Sequence, residues 1–594
     1  MIRERVDPPW ATAGVRLLRD AEMRCLPEGE EDAMKPHVFV ASMLVVGLAL
    51  LTGVPLAATP PTPNLGDRLA ALEATVQALH TKVTALEAEV ATLKSSQVMA
   101  LNKYLTVTTG DTPRALFSGL NLQLVNGTGT TDSINGRGNL ILGYDLARDD
   151  GTHFCSNGQL TERDACERAG QTWAVSHKTG SHYLVIGDRN NYAQYGGLVV
   201  GSFNTSTGPS ASVSGGAFNT ARGPAATVSG GRENKASGHY ASVGGGNGND
   251  ASGPYGSVSG GGWNTASDSH SSVSGGQGNV ASGMGTSVSG GVLNTASGFF
   301  TSVTGGNRNT ASGSFGSVTG GKENTAGGSA ASVSGGNANT ASGADASVSG
   351  GLLNTASGDA ATVSGGSSNT VSGGAASASG GSKNTATGAA ASVSGGQGNT
   401  ASNDHSSVSG GAANIAHGPG ASVSGGRENK ASGHYASVSG GNGNAASGPD
   451  ASVSGGGWNT ATGPFTSVSG GQANTATNDH ATVSGGTHNT AHGAAASVSG
   501  GRENKASGHY ASVGGGNGND ASGLDASVSG GLLNTATGEA TSVSGGSGNT
   551  ASGGAAAVSG GSKNTATGAA ATVSGGYQRK AAESHDWVAG RPRQ

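Results

Sequence analysis

The chain is poor in the residues that build ordinary globular domains and their active sites. Only 4% of its 594 residues are aromatic, 12% are charged and three are cysteine, far from average globular composition. The formal net charge is −5, and basic clusters are few, which argues against nucleic acid as a partner. There is no HExxH sequence, no P-loop and no nucleophile elbow. We therefore expect no catalytic activity, no cofactor and no metal site.

The chain is rich in glycine, with 110 residues, and in repetition. Valine recurs every 15 residues from Val213 to Val573, and Ala378 is the one departure. The span holds 24 intervals and hence 25 copies of a unit whose well-formed example runs from Ala451 to Phe465. Strict periodicity of this length predicts a solenoid, in which each repeat buries its inner face against its neighbours.

Each repeat contains two stretches of period-2 alternation. Counting from the valine as position 0, small residues fall at −2, 0 and +2, and again at +6, +8 and +10. Alternation of this kind predicts two short strands per coil with these positions facing inward. The fold class is therefore all-β, a parallel β-solenoid or β-roll.

Two glycine columns predict the corners. Position +3, from Gly216 onward, is glycine in every copy, and position +10, from Gly223 to Gly568, is glycine except at Asp268, Asn403 and Asn478. Asn and Asp are the residues that best tolerate positive φ after glycine. We therefore predict that the +10 column is a corner with positive φ.

An asparagine occupies position +6 from Asn219 to Asn564 without a gap. It forms either a row that contacts a ligand or an internal ladder, in which each amide bonds its copies in the rungs above and below. The ladder is favoured, because satisfying buried polar groups is needed at every rung and binding is not.

The interior of such a coil is small. One valine and a few alanines give about 2–4 kcal/mol of apolar burial per rung, against about 1 kcal/mol or more for each ordered residue. A single slender solenoid would be marginal, which predicts that several chains associate side by side.

The sequence of residues 1–58 predicts that the protein is exported from the cell. Residues 1–33 resemble an over-extended start, and residues 34–58 contain an apolar run of 17, from 38 to 54, followed by Ala57 and Ala58. This pattern is typical of a secretory signal peptide. An uncleaved membrane anchor is the alternative, since the run is long for a signal core.

Residues 59–103 contain a linker and a heptad pattern. Leucine at four d positions alternates with aliphatic residues at a, in the order Leu69, Leu72, Val76, Leu79, Val83, Leu86, Val90 and Leu93. Four heptads predict a short coiled coil, and valine at a with leucine at d favours a dimer on propensity alone.

Residues 104–197 form a transition segment, or N-terminal β cap, with larger hydrophobic residues than the array over 198–576. It carries an insertion with Cys155 and Cys166, which we expect to form a disulfide in an exported protein; free thiols or a partial metal site are the alternatives. Cys25 lies in the segment before the signal. Residues 577–594 are the expected C-terminal cap.

Two surface patterns allow functional alternatives. The sequence GGNGND at 245–250 and 515–520 matches a calcium-binding repeat, but chance in a Gly- and Asn-rich chain is favoured, because that motif requires a nine-residue period. Threonine recurs at +7, and regular hydroxyl rows can bind ice, although solvation of the outer surface is the favoured explanation.

The repeat reads Ser-Val-Ser-Gly-Gly-x-x-Asn-x-Ala-x-Gly, and two earlier segments read Leu184-Val185-Ile186-Gly187 and Leu198-Val199-Val200-Gly201. The repeat resembles the head repeat of YadA-like trimeric autotransporter adhesins, Ser-Val-Ala-Ile-Gly-x-x-Ser-x-Ala, and the two earlier segments are closer to it still. The resemblance covers about 118–585 and implies a left-handed parallel β-roll of three chains at a bacterial surface, binding host or matrix molecules. Three features differ from the family's pattern. Glycine replaces the family's core isoleucine in the array, the predicted coiled coil precedes the head, and the last residues do not resemble the family's C-terminal membrane barrel.

Together these patterns predict an exported fibrous protein at the bacterial cell surface, outer membrane or in the extracellular space. We expect a homotrimer that binds an unknown surface or matrix ligand and contacts a membrane only if the signal segment is retained. The alternatives are a structural spacer or sheath, and an ice-binding β-solenoid.

Overall fold

The computed structural model describes residues 64–589, in two compact units that divide after Leu122. The segments at 1–33 and 34–58, the first residues of the linker and residues 590–594 lie outside the described part of the chain.

The first unit contains the heptad segment as one helix, Leu65–Ser95, of 31 residues. Asn64 caps its first turn, because Oδ1 accepts a hydrogen bond from Asp67 N at 2.9 Å. The aliphatic a and d side chains from Leu69 to Leu93 are 44–61% exposed. The helix is shown; its pairing into a coiled coil stays a prediction. The unit continues with Gln97–Ala100, the 3₁₀ turn Leu101–Lys103 and the antiparallel strands Leu105–Thr108 and Arg114–Phe117.

The second unit is a parallel β-solenoid of about 27 turns, which confirms the predicted fold class. Each turn contributes one strand to each of two parallel sheets, which we name after their core residue. The valine sheet begins with Leu140–Leu142, Leu184–Asp188, Leu198–Ser202 and Ser212–Val213, and gains one strand every 15 residues through Thr227–Val228 up to Trp587–Val588. The alanine sheet begins with Asn191–Tyr192, Thr205–Ser206 and Thr220–Ala221, and continues at the same interval through Lys235–Ala236 up to Lys580–Ala581. At a strand spacing of about 4.8 Å, these turns extend about 130 Å.

The first turns differ from the array in length and in core. Leu184 pairs with Leu198 and Leu198 with Ser212, a spacing of 14 residues, whereas Ser212 pairs with Thr227, a spacing of 15. Tyr183 and Tyr192 fill the wider interior of these turns and are both 2% exposed. Burial raises the pKa of each phenol to about 12.

The core of the array is the column of residues that the alternation predicts, with one exception. Val213 and its equivalents are 0–1% exposed, and positions −2, +6 and +8 are buried as well. Position +10 is buried at most of its glycines, whereas Asp268 and Asn478 are exposed there. Position +2 is only half-buried, and a Cβ built on Gly230 or Gly260 would meet nothing within 4 Å. The expectation that +2 faces the interior is therefore wrong, because the strand ends at the valine and the chain already turns there.

The predicted positive φ of the +10 column is also wrong. Gly223 and its equivalents, including Asp268, are not among the residues with positive φ. They are small for a steric reason: a Cβ on Gly223 would lie 1.9 Å from the carbonyl oxygen of Gly238 in the next rung. Positive φ occurs instead at +3, as in Gly216 (79°), and at +5 and +12, as in Phe218 (59°) and Tyr240 (56°).

The segment predicted as a C-terminal cap continues the solenoid. Thr572 pairs with Trp587 and Val573 with Val588, so residues 577–589 add one more turn in the same register. The turn departs from the repeat at +6, where Arg579 replaces the asparagine.

The insertion that carries Cys155 and Cys166 lies between the first two strands of the valine sheet. It contains the antiparallel strands Phe154–Cys155 and Trp173–Ala174 and the helix Arg163–Arg168. Cys155 and Cys166 are joined in a disulfide, and both are buried.

Candidate functional site

The asparagine column is internal. Asn354 Oδ1 accepts a hydrogen bond from Asn369 N at 3.0 Å, and its Nδ2 donates to the carbonyl oxygens of Gly350 at 2.8 Å and Gly366 at 3.0 Å. The same three bonds recur along the array, and the asparagine side chains are buried. The predicted ladder exists, but its recurring partners are backbone groups of the same and the next rung; Asn519 Nδ2, which also donates to Asn504 Oδ1 at 3.1 Å, adds an amide-to-amide bond. It leaves no amide free for a ligand row.

The calcium-like sequence at 245–250 spans a corner and a strand. Asn249 points inward and belongs to the ladder, whereas Asp250 lies on the opposite face of the strand, in register with Lys235 of the preceding rung. Burial raises the pKa of Asp250, and the charge of Lys235 opposes that rise. Asn249 and Asp250 cannot share one cation, because successive strand residues face opposite ways. Within residues 64–589, no three His, Cys, Asp or Glu side chains cluster as metal ligands do.

The threonine row at +7 is in register on the outer face of the alanine sheet. It is uninterrupted over eight rungs, where Thr295, Thr310, Thr325, Thr340, Thr355, Thr370, Thr385 and Thr400 pair in sequence. Elsewhere residues such as Lys235 and Ile415 replace the threonine.

The insertion packs on the outer face of the alanine sheet near its first rungs. Gln159 Nε2 donates to the carbonyl oxygen of Thr207 at 2.6 Å, and Arg148 donates from Nη1 to Thr205 Oγ1 at 2.7 Å. These contacts fix the insertion over the outward side chains at +7 and +9.

A cavity of about 420 Å³ lies between the insertion and the alanine sheet. This volume is in the range of sites for small molecules. The side chains that line it are mostly aromatic, hydroxylic and basic, with one carboxylate and one leucine: Arg148, Asp150, Thr152, His153, Phe154, Leu160, Thr161, Trp173, Phe218, Thr220, Arg222, Lys235 and Ser237.

The two arginines of the cavity differ in their partners. Arg148 donates from Nε to Asp150 Oδ2 at 2.8 Å, and Asp150 Oδ1 accepts from Thr152 N at 3.1 Å, so this pair is neutral and hydrogen-bonded. Arg222 forms no ion pair within the described chain, and its buried Nε has no hydrogen-bond partner there. Burial lowers the pKa of Arg222, and no carboxylate counteracts that shift.

Trp173 is the aromatic side chain of the cavity whose faces stay free of other rings and cations in the described structure. Phe218, in contrast, stacks on Phe203 at 4.8 Å between ring centroids and has Arg232 5.7 Å from its centroid. Arg148 lies 5.1 Å from the centroid of Phe154.

Sequence reasoning missed this cavity, although one signal was available. Position +9 is serine or threonine in most rungs, and Arg222 is its one arginine. The other half of the cavity could not be found from the sequence, because the insertion has no periodicity that would place Trp173 over the sheet.

No model of a known protein family matches this chain. The curated proteins likewise contain no sequence with significant similarity to it. Among the described residues, no helix combines the length and the apolar character that crossing a membrane requires.

Proposed function

We propose that this chain is an exported fibrous protein of the bacterial surface that works as an adhesion or interaction head without catalytic activity. The observation that supports this function is the placement of aromatic residues at the corners of the array. Tyr240, Tyr255 and Trp263 have positive φ, from 52° to 56°, and are 51–59% exposed. The same two properties are shared by Phe300, Phe315, Tyr435, Trp458, Phe465 and Tyr510.

These corners are unfavourable places for a large side chain. A residue with a Cβ costs about 1–2 kcal/mol in the left-handed region, where glycine costs little. A half-exposed ring also gains only part of the free energy that full burial would give. Tyr240 stacks on Tyr255 at 5.2 Å and Phe300 on Phe315 at 6.1 Å between ring centroids, but each of these rings still leaves half of its surface exposed. Glycine occupies the same two corners, at Gly248 (+5) and Gly285 (+12), so the fold does not require aromatic residues there. Aromatic side chains are enriched in protein interfaces, and interaction with another molecule accounts for their presence here.

The proposal includes assembly into trimers by a left-handed β-roll and a coiled coil. The resemblance of the repeat to YadA-like heads supports it. A second support is the row of exposed a and d residues along Leu65–Ser95, which needs a partner helix to be buried. Light scattering on the purified chain should give three times the chain mass; a stable monomer would overturn this part.

The adhesion function is tested on the full chain with an array of glycans and matrix proteins. The variant replaces four corner aromatics with alanine: Tyr240→Ala, Tyr255→Ala, Phe300→Ala and Phe315→Ala. Alanine occupies the same position at Ala225 and Ala330, so we expect the fold to be kept.

We expect the variant to lose at least tenfold in affinity for the ligand that the native chain binds. The control, Asp345→Ala with Asp450→Ala, changes the same corner without removing a ring and should bind normally. Failure of the native chain to bind any array component, together with its presence in the surface fraction of the host, would favour the structural spacer.

An ice-binding function is the second candidate, supported by the eight threonines from Thr295 to Thr400 in register on one sheet face. Thermal hysteresis of the purified chain, abolished by replacing Thr340 and Thr355 with lysine, would establish it. Absence of hysteresis at millimolar protein would exclude it.

A further inference from the structure

We infer that the cavity between the insertion and the alanine sheet binds a sugar that carries one carboxylate, of the uronic acid type. This inference deepens the proposed function by naming a ligand class, and it rests on that function in assigning the chain a role in recognition. It is argued from the charges, the free ring and the hydroxyl groups that line the cavity.

One arginine of the cavity has no carboxylate partner in the described structure. The Arg148–Asp150 pair is neutral. Within the described chain Lys235 forms no ion pair, but Asp250 of the next rung lies in register with it and interacts with its charge, whereas no carboxylate acts on Arg222. A partly buried guanidinium without acceptors is costly, and a bound anion removes that cost. The fork of an arginine matches a carboxylate in a bidentate arrangement. One unbalanced positive charge suits a monoanion better than a phosphate dianion.

The other side chains that line the cavity suit a sugar ring. Trp173 presents a ring that no aromatic or cationic neighbour covers in the described structure, and such a surface packs against the carbon face of a pyranose. Thr152, Thr161 and Ser237 place hydroxyl groups around the same space, which can exchange hydrogen bonds with sugar hydroxyls. The volume of about 420 Å³ admits one monosaccharide unit.

The position of Arg222 makes the site testable without damage to the fold. Arg222 stands at +9, and Ser237 and Ser252 occupy the same position in the next two rungs. Arg222→Ser therefore restores the residue that the array uses, while it removes the unpaired charge from the cavity.

The test is isothermal titration of the full chain with glucuronate, with glucose and with inorganic phosphate. We expect glucuronate to bind more tightly than either of the others, and Arg222→Ser to weaken it tenfold to about a hundredfold, as expected for a charged hydrogen bond. The matched control is Arg427→Ser, which removes an exposed arginine paired with Glu428 far from the cavity. It should leave the glucuronate affinity unchanged.

Three results would overturn the inference: no binding of glucuronate, equal binding of glucose or phosphate, or glucuronate binding that Arg222→Ser does not weaken. None of these results touches the corner aromatics, whose test uses other residues and other ligands. Failure of the sugar site and failure of the adhesion function are thus distinguished.

Discussion

Two glycine columns of the same rung should respond in opposite ways to one added methyl group. Gly343 stands at +10, where a Cβ would lie 2.0 Å from the carbonyl oxygen of Gly358 in the next rung. Gly335 stands at +2, where a Cβ would meet nothing within 4 Å. Neither residue has positive φ. Neither position therefore requires glycine for a left-handed backbone, and the space around the two residues differs.

The magnitude follows from the contact distances. Ordinary contact needs about 3.4 Å, so Gly343→Ala must separate two rungs by more than 1 Å locally or distort the corner, at about 1–3 kcal/mol. Gly335→Ala restricts the unfolded chain without a clash and should stabilise by about 0.4–1 kcal/mol. Asn403 is one of the native exceptions to glycine at +10, and its side chain forms a hydrogen bond that alanine cannot form. Its Nδ2 donates to the carbonyl oxygen of His417 in the next rung at 2.8 Å.

Hydrogen exchange followed by mass spectrometry measures these effects at the altered rung, because a long solenoid opens locally. A loss of 2 kcal/mol corresponds to exchange about 30-fold faster in peptides that contain Gly343→Ala, at about 1.4 kcal/mol for each factor of ten. Gly335→Ala should leave exchange unchanged or slower. Equal acceleration in both variants would refute the argument that space, rather than φ, selects glycine at +10.

Three further predictions concern the core and the insertion. Asn354→Ala deletes three hydrogen bonds and leaves buried groups unpaired, so we expect about 3–5 kcal/mol of local destabilisation in hydrogen exchange; a change below 1 kcal/mol would contradict the ladder. Burial raises the pKa of the Tyr183 phenol to about 12. The neutral phenol therefore contributes fully to the free energy of unfolding below pH 10, and this contribution is lost as the pH rises through 12. Ionisation of Tyr183 should thus lower the free energy of unfolding of the first turns, measured in urea, by about 2–3 kcal/mol at high pH, and Tyr183→Phe should remove this part of the loss while the part that Tyr192 causes remains; identical alkaline profiles would show that Tyr183 is not responsible. Replacing Cys155 and Cys166 with serine should lower the stability of the insertion by about 2–3 kcal/mol in thermal unfolding and leave the array unchanged, whereas a wild-type melting curve would contradict a structural role for the disulfide.

Much of the array could be predicted from the sequence, because the repeat places the same residue in the same environment many times. The valine column, the inward alanine at +8 and the buried asparagine at +6 lie where the alternation predicts. The predictions were wrong at positions where glycine can be explained in two ways. Composition alone cannot separate a glycine needed for positive φ, such as Gly216, from one needed for close approach, such as Gly223.

The corners with positive φ were missed for a related reason. Sequence rules expect glycine, asparagine or aspartate in that region, yet Tyr240 and Trp263 occupy it. The cavity was missed because it joins two segments whose contact no periodicity encodes. Half of it comes from a regular sheet and half from an insertion without repeats.

The asparagine ladder gives the solenoid a direction. Each Oδ1 accepts from the backbone N–H of the following rung, from Asn190 and Asn204 near the first turns to Asn564, which accepts from Arg579 N at 2.8 Å. Before the first asparagine, Asp145 supplies the acceptor for Asn190 N, at 3.1 Å. A carboxylate therefore closes the series on one side, and a guanidinium side chain, which accepts no hydrogen bond, closes it on the other. The two ends of the described solenoid therefore do not match each other, and two copies cannot join end to end through the hydrogen bond that links one asparagine of the ladder to the next.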